Sequence, residues 1–547
     1  MTATRPNPLM RLFPSLTDLV FVLPVLFLFG RMQGTENLLG DGDTGWHLRT
    51  GEWILSHGRV PDHDLFSFTK PGEPWFAWEW LWDTSFAWLH RQGGLALVVL
   101  LNTVLLCLTF ALLFRLVRRR SGALVALGVT VFAVAGSSVH WLARPHLVTL
   151  LFVVLWCRLL ERVRTGGDPR LLTLLALPMV LWTNLHGGFV AGGILLALYG
   201  MGELAGALTA SDFGRRAEHL RRAAWHSAAL AACIAATFCN PYTWRLHRHI
   251  LGYLSDSFLF EHNQEFMSLS FQHPAARWFE AALLLGGAAL CWSLARRRFA
   301  HALVIGVWAH MALFAGRNIP IYMVVSAPAI ALSIEEWLAL ARRARLADWL
   351  RKALHCFAAL SAEVGETDRI PRLHVASALA VALVAALLYA PAPPRPFRSE
   401  FSARQFPVKA VRALGASLTG ARVFTDEQWG DYLIYSLYPE TRVFIDGRGD
   451  FYGSRFGQKF LDVMNVSHTW EAHLNQYGVE VIMLPAGAPL GGALKESSRW
   501  RLVYDDGHAL VFRRAAIQQV SAPGGIERGR AAAKPQSDFR RMPERDS

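Results

Sequence analysis

The sequence predicts a polytopic α-helical membrane protein of about eleven spans, followed by a small C-terminal extracytoplasmic α/β domain. Three observations predict it. First, 53% of the 547 residues are hydrophobic and only 18% are charged, against about a quarter charged in soluble chains. Second, the apolar residues fall in long runs separated by short arginine-rich connections. Third, the composition turns polar after the proline-rich stretch Pro391-Ala392-Pro393-Pro394-Arg395-Pro396.

A membrane-crossing helix needs about 20 apolar residues. Runs of that kind lie near 16–34, 94–117, 121–139, 147–163, 171–185, 188–208, 223–239, 277–295, 299–315, 320–338 and 373–391. The first is preceded by Arg5 and Arg11 and is not followed by a small-residue cleavage site, so it reads as a retained helix. The formal charge is +13. Its arginines cluster at Arg115/Arg118/Arg119/Arg120, Arg158/Arg162/Arg164/Arg170, Arg215/Arg216/Arg221/Arg222, Arg296/Arg297/Arg298 and Arg342/Arg343/Arg345/Arg351/Lys352, in alternate connections. Positive loops stay in the cytoplasm. The N-terminus is therefore expected inside and the C-terminal domain outside, in a cytoplasmic (inner) membrane. This pattern, without zinc spacing or a basic-aromatic stripe, argues against nucleic acid as a partner. The six cysteines sit in or beside apolar runs, so no disulfide framework is expected.

Three units follow: a membrane domain over 1–391, an α/β domain over 392–515 and a disordered tail over 516–547. Within the first, the loop 35–93 is expected outside. It carries Trp46, Trp53, Trp75, Trp78, Trp80, Trp82 and Trp88, a density typical of the membrane interface. A helix from Asp43 or Thr44 to about Ser56 is expected to rest on the bilayer surface. The proline stretch reads as an extended spacer. Beyond it, 421–425, 442–446, 479–484, 501–505 and 509–513 read as strands, with helices near 405–415, 456–464, 469–476 and 490–496.

The polar residues of the membrane portion fall on one predicted side. They are Asp41 and Asp43 after the first span, His140, Arg144 and His146 between the third and fourth, and Asn184 and His186 between the fifth and sixth. Glu265 follows the seventh, and Arg317 lies between the ninth and tenth. Ionisable groups near lipid are costly and line interior or wet cavities, so a shared external cavity is expected. A long-chain lipid carrying a phosphate-linked sugar would present its head group there. Its phosphate needs cations, which Arg supplies by bidentate contact. The acceptor hydroxyl needs a carboxylate to take its proton. Asp43 is the favoured base with Asp41 beside it. Arg144, His146, His186 and Arg317 are the donor-phosphate candidates. Glu265, Asp64 and Glu79 are candidates for an acceptor-side or second acid. An acid pair spaced i, i+2 also suits metal ligation; no metal or other cofactor is assigned, and a divalent cation stays compatible with the pair.

Asp41-Gly42-Asp43 just beyond the first span, the juxtamembrane helix and the multi-span layout resemble the GT-C superfamily of integral-membrane glycosyltransferases. The stretches D-G-D-T-G-W-H-L-R-T-G-E-W-I-L (41–55), P-D-H-D-L-F-S-F-T (61–69), W-T-N-L-H-G-G-F (182–189) and V-F-I-D-G-R-G-D-F-Y-G (443–453) are similar to those of a bacterial group of GT-C-type membrane proteins. The resemblance implies polyprenyl-phosphate-type sugar donors, with Asp41 and Asp43 matching the superfamily's acid pair. The expected function is transfer of a sugar to an envelope acceptor, whether glycan, lipid or protein. The alternatives are a lipid-linked glycan transporter or flippase, and a non-catalytic glycan-binding scaffold of envelope assembly. In the C-terminal domain Asp446 and Arg448 are expected to form a ligand loop at a strand end, with Trp429-Gly430-Asp431-Tyr432 packed near it.

Overall fold

The computed structural model describes residues 8–515; the tail expected to be disordered, 516–547, lies outside them. A helix is present at each of the eleven expected spans, from Leu16–Arg31 to Val375–Leu388. Five helical segments are long and apolar enough to cross a membrane: Trp80–Val117, Ala123–His140, Gly187–Thr209, Ala276–Ala295 and Gly316–Arg343. Pro169–Leu185, Phe299–Phe314 and Val375–Leu388 are apolar but shorter. The helices His146–Arg164 and Phe213–Ala236 carry charge at their arginine-rich ends.

Those ends meet at one pole of the bundle. Arg222 reaches towards the Val163 and Arg164 carbonyls, Arg297 donates to the Thr209 carbonyl, and Arg298 pairs with Glu336. An amphipathic helix, Asp348–Asp368, leaves Trp349 71% exposed. Its Ser361 hydroxyl accepts from the Leu124 amide near this pole.

The opposite pole carries a polar head, and here the structure departs from expectation in three ways. The helix Asp43–His57 does not rest on the bilayer. Residues from Asp43 to Ile54 are buried on several sides, because it is clamped between the start of helix Trp80–Val117 and a C-terminal helix, Glu427–Leu437. Helix Trp80–Val117 breaks at Gly93 and Gly94, which separates a head segment from a membrane segment. Trp46, Trp75 and Trp82 are accordingly head core, 6%, 4% and 3% exposed; only Trp88 keeps the exposure of an interface residue, 54%.

The proline stretch, second, is not a free spacer. Phe397 stacks on Phe29 with ring centroids 4.3 Å apart, Arg395 and Ser402 bind Glu36, and the Pro396 carbonyl lies against Gly34. A Cβ at Gly34 would fall 2.1 Å from that oxygen, and its φ is +63°. Only glycine meets both demands.

Third, the C-terminal sheet has four strands and not five: β1 (Val423–Phe424), β2 (Val481–Pro485), β3 (Trp500–Asp505) and β4 (Ala509–Arg514), in the order β1-β2-β4-β3. β1 and β2 are parallel; the other pairs are antiparallel. The segment 442–446 makes isolated bridges only, with Val443 parallel to both Val423 and Ser67. Val443 exchanges backbone bonds with Phe66 and Phe68, so the loop after the first span is stitched into the C-terminal domain. The chain then turns into an ion-pair cluster that ends the pairing.

Candidate active site

The Asp41-Gly42-Asp43 turn starts the helix Asp43–His57. The Asp41 carboxylate accepts the Asp43 amide at 2.9 Å, a local bond that Asp makes readily. Carboxylates at a helix start are also favoured by its dipole. Across from them, the connection 138–146 is tied down by Ala143 N–H to the Leu38 carbonyl (2.7 Å) and by Asn37 to the Trp141 carbonyl (2.8 Å). Pro145 then opens the helix His146–Arg164. Arg144 is thereby aimed at the acid pair.

Its guanidinium lies 2.9 Å from Asp41 Oδ2 and 2.7 Å from Asp43 Oδ2, and it also bonds Glu265. Glu265 is in turn 3.9 Å from His140 Nε2 and 4.0 Å from Arg317 Nη1. Arg317 sits over the Phe266 ring at 4.7 Å, held by its backbone N–H to the Glu265 carbonyl. Four connections of the sequence thus converge on one cluster: 41–43, 138–146, 263–267 and 316–318.

The C-terminal domain closes this cluster. Gln428 accepts the Gly42 amide at 2.7 Å. Asp431 Oδ1 accepts the Gly447 amide at 2.9 Å, while its Oδ2 is buried without a partner. A Cβ at Gly447 would lie 2.1 Å from Asp43 Oδ1 and 2.8 Å from Asp431 Oδ2. Gly447 is therefore needed for close approach, and Asp431 is a neighbour of Asp43.

The electrostatics follow from crowding. Burial pushes the Asp43 carboxyl well above its ordinary value, and the Asp41 and Glu265 charges add to this against the pull of Arg144. Asp431 is raised by burial and then by the Asp43 charge. Glu265 goes the other way: burial opposes ionisation, but Arg144, His140 and Arg317 outweigh it and hold the acid at about 2.

A second cluster adjoins the first. His47, one helical turn after Asp43, has Nδ1 2.6 Å from Asp83 and Nε2 3.7 Å from Glu79. Glu79 is also 3.6 Å from His186 Nε2. Asn184 fixes this corner by accepting from Trp80 Nε1 (2.7 Å) and donating to the Cys239 carbonyl (2.9 Å). Burial raises Glu79 to about 8 even though Arg144 and Arg317 face it.

Of the sequence candidates, Asp41, Asp43, Arg144, Glu265 and Arg317 share the first cluster; Glu79 and His186 share the second. His146 packs at a tilt against His140, centroids 4.4 Å apart, and its Nε2 lies 3.1 Å from the His140 carbonyl, so it faces its own loop. Asp64, Asp446 and Arg448 depart from expectation. Arg448 binds Asp64 and Asp446 at 2.7 Å each. Its guanidinium lies over the Trp75, Phe66 and Phe451 rings, and Tyr452 donates to Asp446. All three charged groups are sealed, so they form an inter-domain lock and present no ligand loop. His47, Asp83 and Asp431 were not singled out as site residues. The i, i+4 spacing of Asp43 and His47 was the available signal for one of them; no local pattern announces that the helix Glu427–Leu437 lies over the acid pair. Among the described residues no three His, Cys, Asp or Glu side chains are disposed to hold a metal ion; Arg144 stands at the centre of the three carboxylates.

No protein-family model matches the chain, and no curated protein sequence matches it. Two of the solved structures that match the chain illustrate the shared architecture. One is the archaeal oligosaccharyltransferase AglB from Archaeoglobus fulgidus, solved with an inhibitory peptide and a dolichol-phosphate: TM-score 0.52 and 12% identity over 92% of this chain and 74% of that one. The other is the apo form of the Archaeoglobus fulgidus oligosaccharyltransferase: TM-score 0.50 and 12% identity over 86% and 69%. With its membrane bundle and its polar head, the chain shares the fold of these two oligosaccharyltransferase structures over most of its length.

Proposed function

We propose that this protein transfers a sugar from a polyprenyl-phosphate-type lipid donor to an envelope acceptor, on the outer face of the cytoplasmic membrane. Asp43 takes the proton of the acceptor hydroxyl as its oxygen attacks the anomeric carbon. The carbon–oxygen bond to phosphate breaks, and its electron pair goes to the phosphate. Arg317 meets that charge first, because it is the less committed cation, 4.0 Å from Glu265 and in contact with a phenyl face. Arg144 holds Asp41 and Asp43 in register and lends the remaining positive charge. The C-terminal domain covers the acid pair through Gly447 and Asp431.

The observation that carries this reading is the convergence of Asp41, Asp43 and Glu265 on Arg144, with Arg317 beyond, at the pole opposite the arginine-rich loops. The likeness to an oligosaccharyltransferase solved with a dolichol-phosphate supports the donor class. The pole assignment supports an outer site, since arginine-rich loops stay inside.

The test is reconstitution of the purified protein with a panel of polyprenyl-phosphate sugars, comparing wild type with Asp41→Asn and Asp43→Asn. Transfer by wild type and its loss in folded Asp43→Asn is the expected result. Equal transfer by both variants and wild type removes the base assignment.

A further inference from the structure

The second cluster has a direction, written in its hydrogen bonds. Trp182 Nε1–H donates to Thr149 Oγ1 at 3.0 Å, so the Thr149 hydroxyl is free to donate to His186 Nδ1, 2.7 Å away. The Gly188 amide donates to the same nitrogen at 3.1 Å. Nδ1 of His186 is thus an acceptor. A neutral imidazole carries one N–H, so its Nε2 holds the hydrogen and turns it towards Glu79 Oε1, 3.6 Å away.

On the other side of Glu79 stands His47, an imidazole between two carboxyls: Nδ1 2.6 Å from Asp83 and Nε2 3.7 Å from Glu79 Oε2. The Asp83 side chain is 0% exposed and that of His47 1%. Two bare carboxylates around a neutral ring at that depth are unfavourable. The unit therefore holds one negative charge and one acidic proton. When the proton is on Asp83, the His47 ring carries Nε2–H towards Glu79. When it is on Glu79, the ring carries Nδ1–H towards Asp83. The two arrangements differ only by proton shifts across the ring, and the His186 N–H serves Glu79 in both. Glu79 is the more accessible end, with its side chain 11% exposed.

The charged and titratable groups facing Glu79 are His47, Asp83, His186, Arg144, Arg317 and Asp450. The charges of the two arginines assigned above to the donor phosphate thus act on its carboxyl. Resting on that assignment, we propose that Asp83, His47, Glu79 and His186 form a proton relay that hands one proton, through the Glu79 carboxyl, to the donor phosphate as its bond to the sugar breaks. The anomeric C–O bond opens with its electron pair on the phosphate oxygen, and the Glu79 proton moves to a phosphate oxygen. The lipid leaves as a singly charged phosphate monoester, and Glu79 and Asp83 are then both carboxylates about the His47 ring, an unfavourable state that lasts only until Glu79 is protonated again. Asp43 releases the acceptor's proton to solvent and Glu79 regains one from solvent, so the net transfer is from acceptor to phosphate. In a site of low polarity this avoids stranding a doubly charged phosphate beside three carboxylates.

Binding of a polyprenyl monophosphate to the full-length protein in lipid nanodiscs tests this without turnover. Wild type should lose about tenfold or more in affinity as the pH rises through about 8, whereas Glu79→Gln should lose affinity less steeply over the same range. Infrared spectra of wild type at neutral pH should contain a protonated-carboxyl band that disappears on the same rise. With a competent sugar donor, Glu79→Gln should lower kcat by about 10²-fold and flatten its alkaline limb while leaving KM for the donor near the wild-type value. Identical pH dependence of binding in Glu79→Gln and wild type, no binding by wild type, or no carboxyl band overturns the relay. If binding and the band behave as expected but no sugar is transferred from any donor, the transfer reading falls and the hand-off during bond breaking falls with it, while the Glu79 proton held for a bound phosphate monoester stands. If transfer proceeds and Glu79→Gln matches wild type throughout, the relay falls and the transfer reading stands.

Discussion

The head contains two arginine–carboxylate clusters that look alike on paper and differ in everything that decides their use. Arg448 is held by Asp64 and Asp446, roofed by aromatic rings, and its side chain is 1% exposed. Arg144 is held by Asp41, Asp43 and Glu265, and its side chain and those of its partners are 8–19% exposed. The first joins two chain-distant segments and is closed to solvent, with Arg448 Nη1 itself buried without a partner. The second has surplus acids, a neighbouring second cation in Arg317 and an unpartnered Asp431 oxygen. Arginine and aspartate in proximity do not make a site; unmet charge with access does.

The widest separation between the clusters should come from Asp43→Asn. The amide keeps a bond to Arg144 but cannot take a proton, so sugar transfer should fall about 10²–10⁴-fold with the melting temperature unchanged. The opposite pattern is expected of Arg448→Met. Two buried carboxylates lose their counter-charge, which costs about 3–5 kcal/mol and should appear as earlier unfolding and protease sensitivity of the C-terminal domain. Gly447→Ala probes the seam between domain and acid pair. Its methyl collides with Asp43 Oδ1, an overpacking cost of about 1–3 kcal/mol, and transfer should drop more than stability does.

Acid sharpens the contrast further. Glu265 is held down to about 2 by Arg144, His140 and Arg317 against burial, and its ordinary value is 4.5. A depressed acid contributes stability above its ordinary value and loses it as the pH falls towards the depressed one. The stability difference between wild type and Glu265→Gln, about 1–3 kcal/mol near neutrality, should therefore shrink as the pH drops below 4.5; a constant difference in unfolding midpoint would place Glu265 outside the Arg144 field. The smallest effect belongs to Arg395→Ala, which removes a pair with Glu36 in which the Arg side chain is 53% exposed. Exposed pairs contribute about 0–1 kcal/mol, and a larger loss would mean that the proline stretch depends on charge and not on the Phe29–Phe397 stack.

Several parts of this arrangement were legible before any coordinates. The helices of the bundle announce themselves as apolar runs, since a lipid-facing helix must be apolar along its length. The arginine clusters mark one pole, and Asp41, Asp43, Arg144, Glu265 and Arg317 share the other. The head was harder to read. Its tryptophans look like an interface belt because an aromatic-rich polar loop has the same composition whether it lies on lipid or is packed under another domain. The helix Glu427–Leu437 was missed because W-G-D-Y carries no strong helical period, and Asp426 as its N-cap is a weak signal on its own. The strand expected at 442–446 is apolar enough to pair, yet it bridges two neighbours through one residue each.

What the sequence determined by itself is the membrane bundle, its polarity and the residue types gathered at one pole, because bilayer thickness and the cost of burying charge act on each segment separately. Which acid meets which cation was decided only by tertiary structure. Asp64 and Asp43 are both acids of the same loop, and it is the docking of the C-terminal domain that seals the first under Arg448 and leaves the second beside Arg144. That choice depends on contacts between residues hundreds of positions apart, and no local pattern records them.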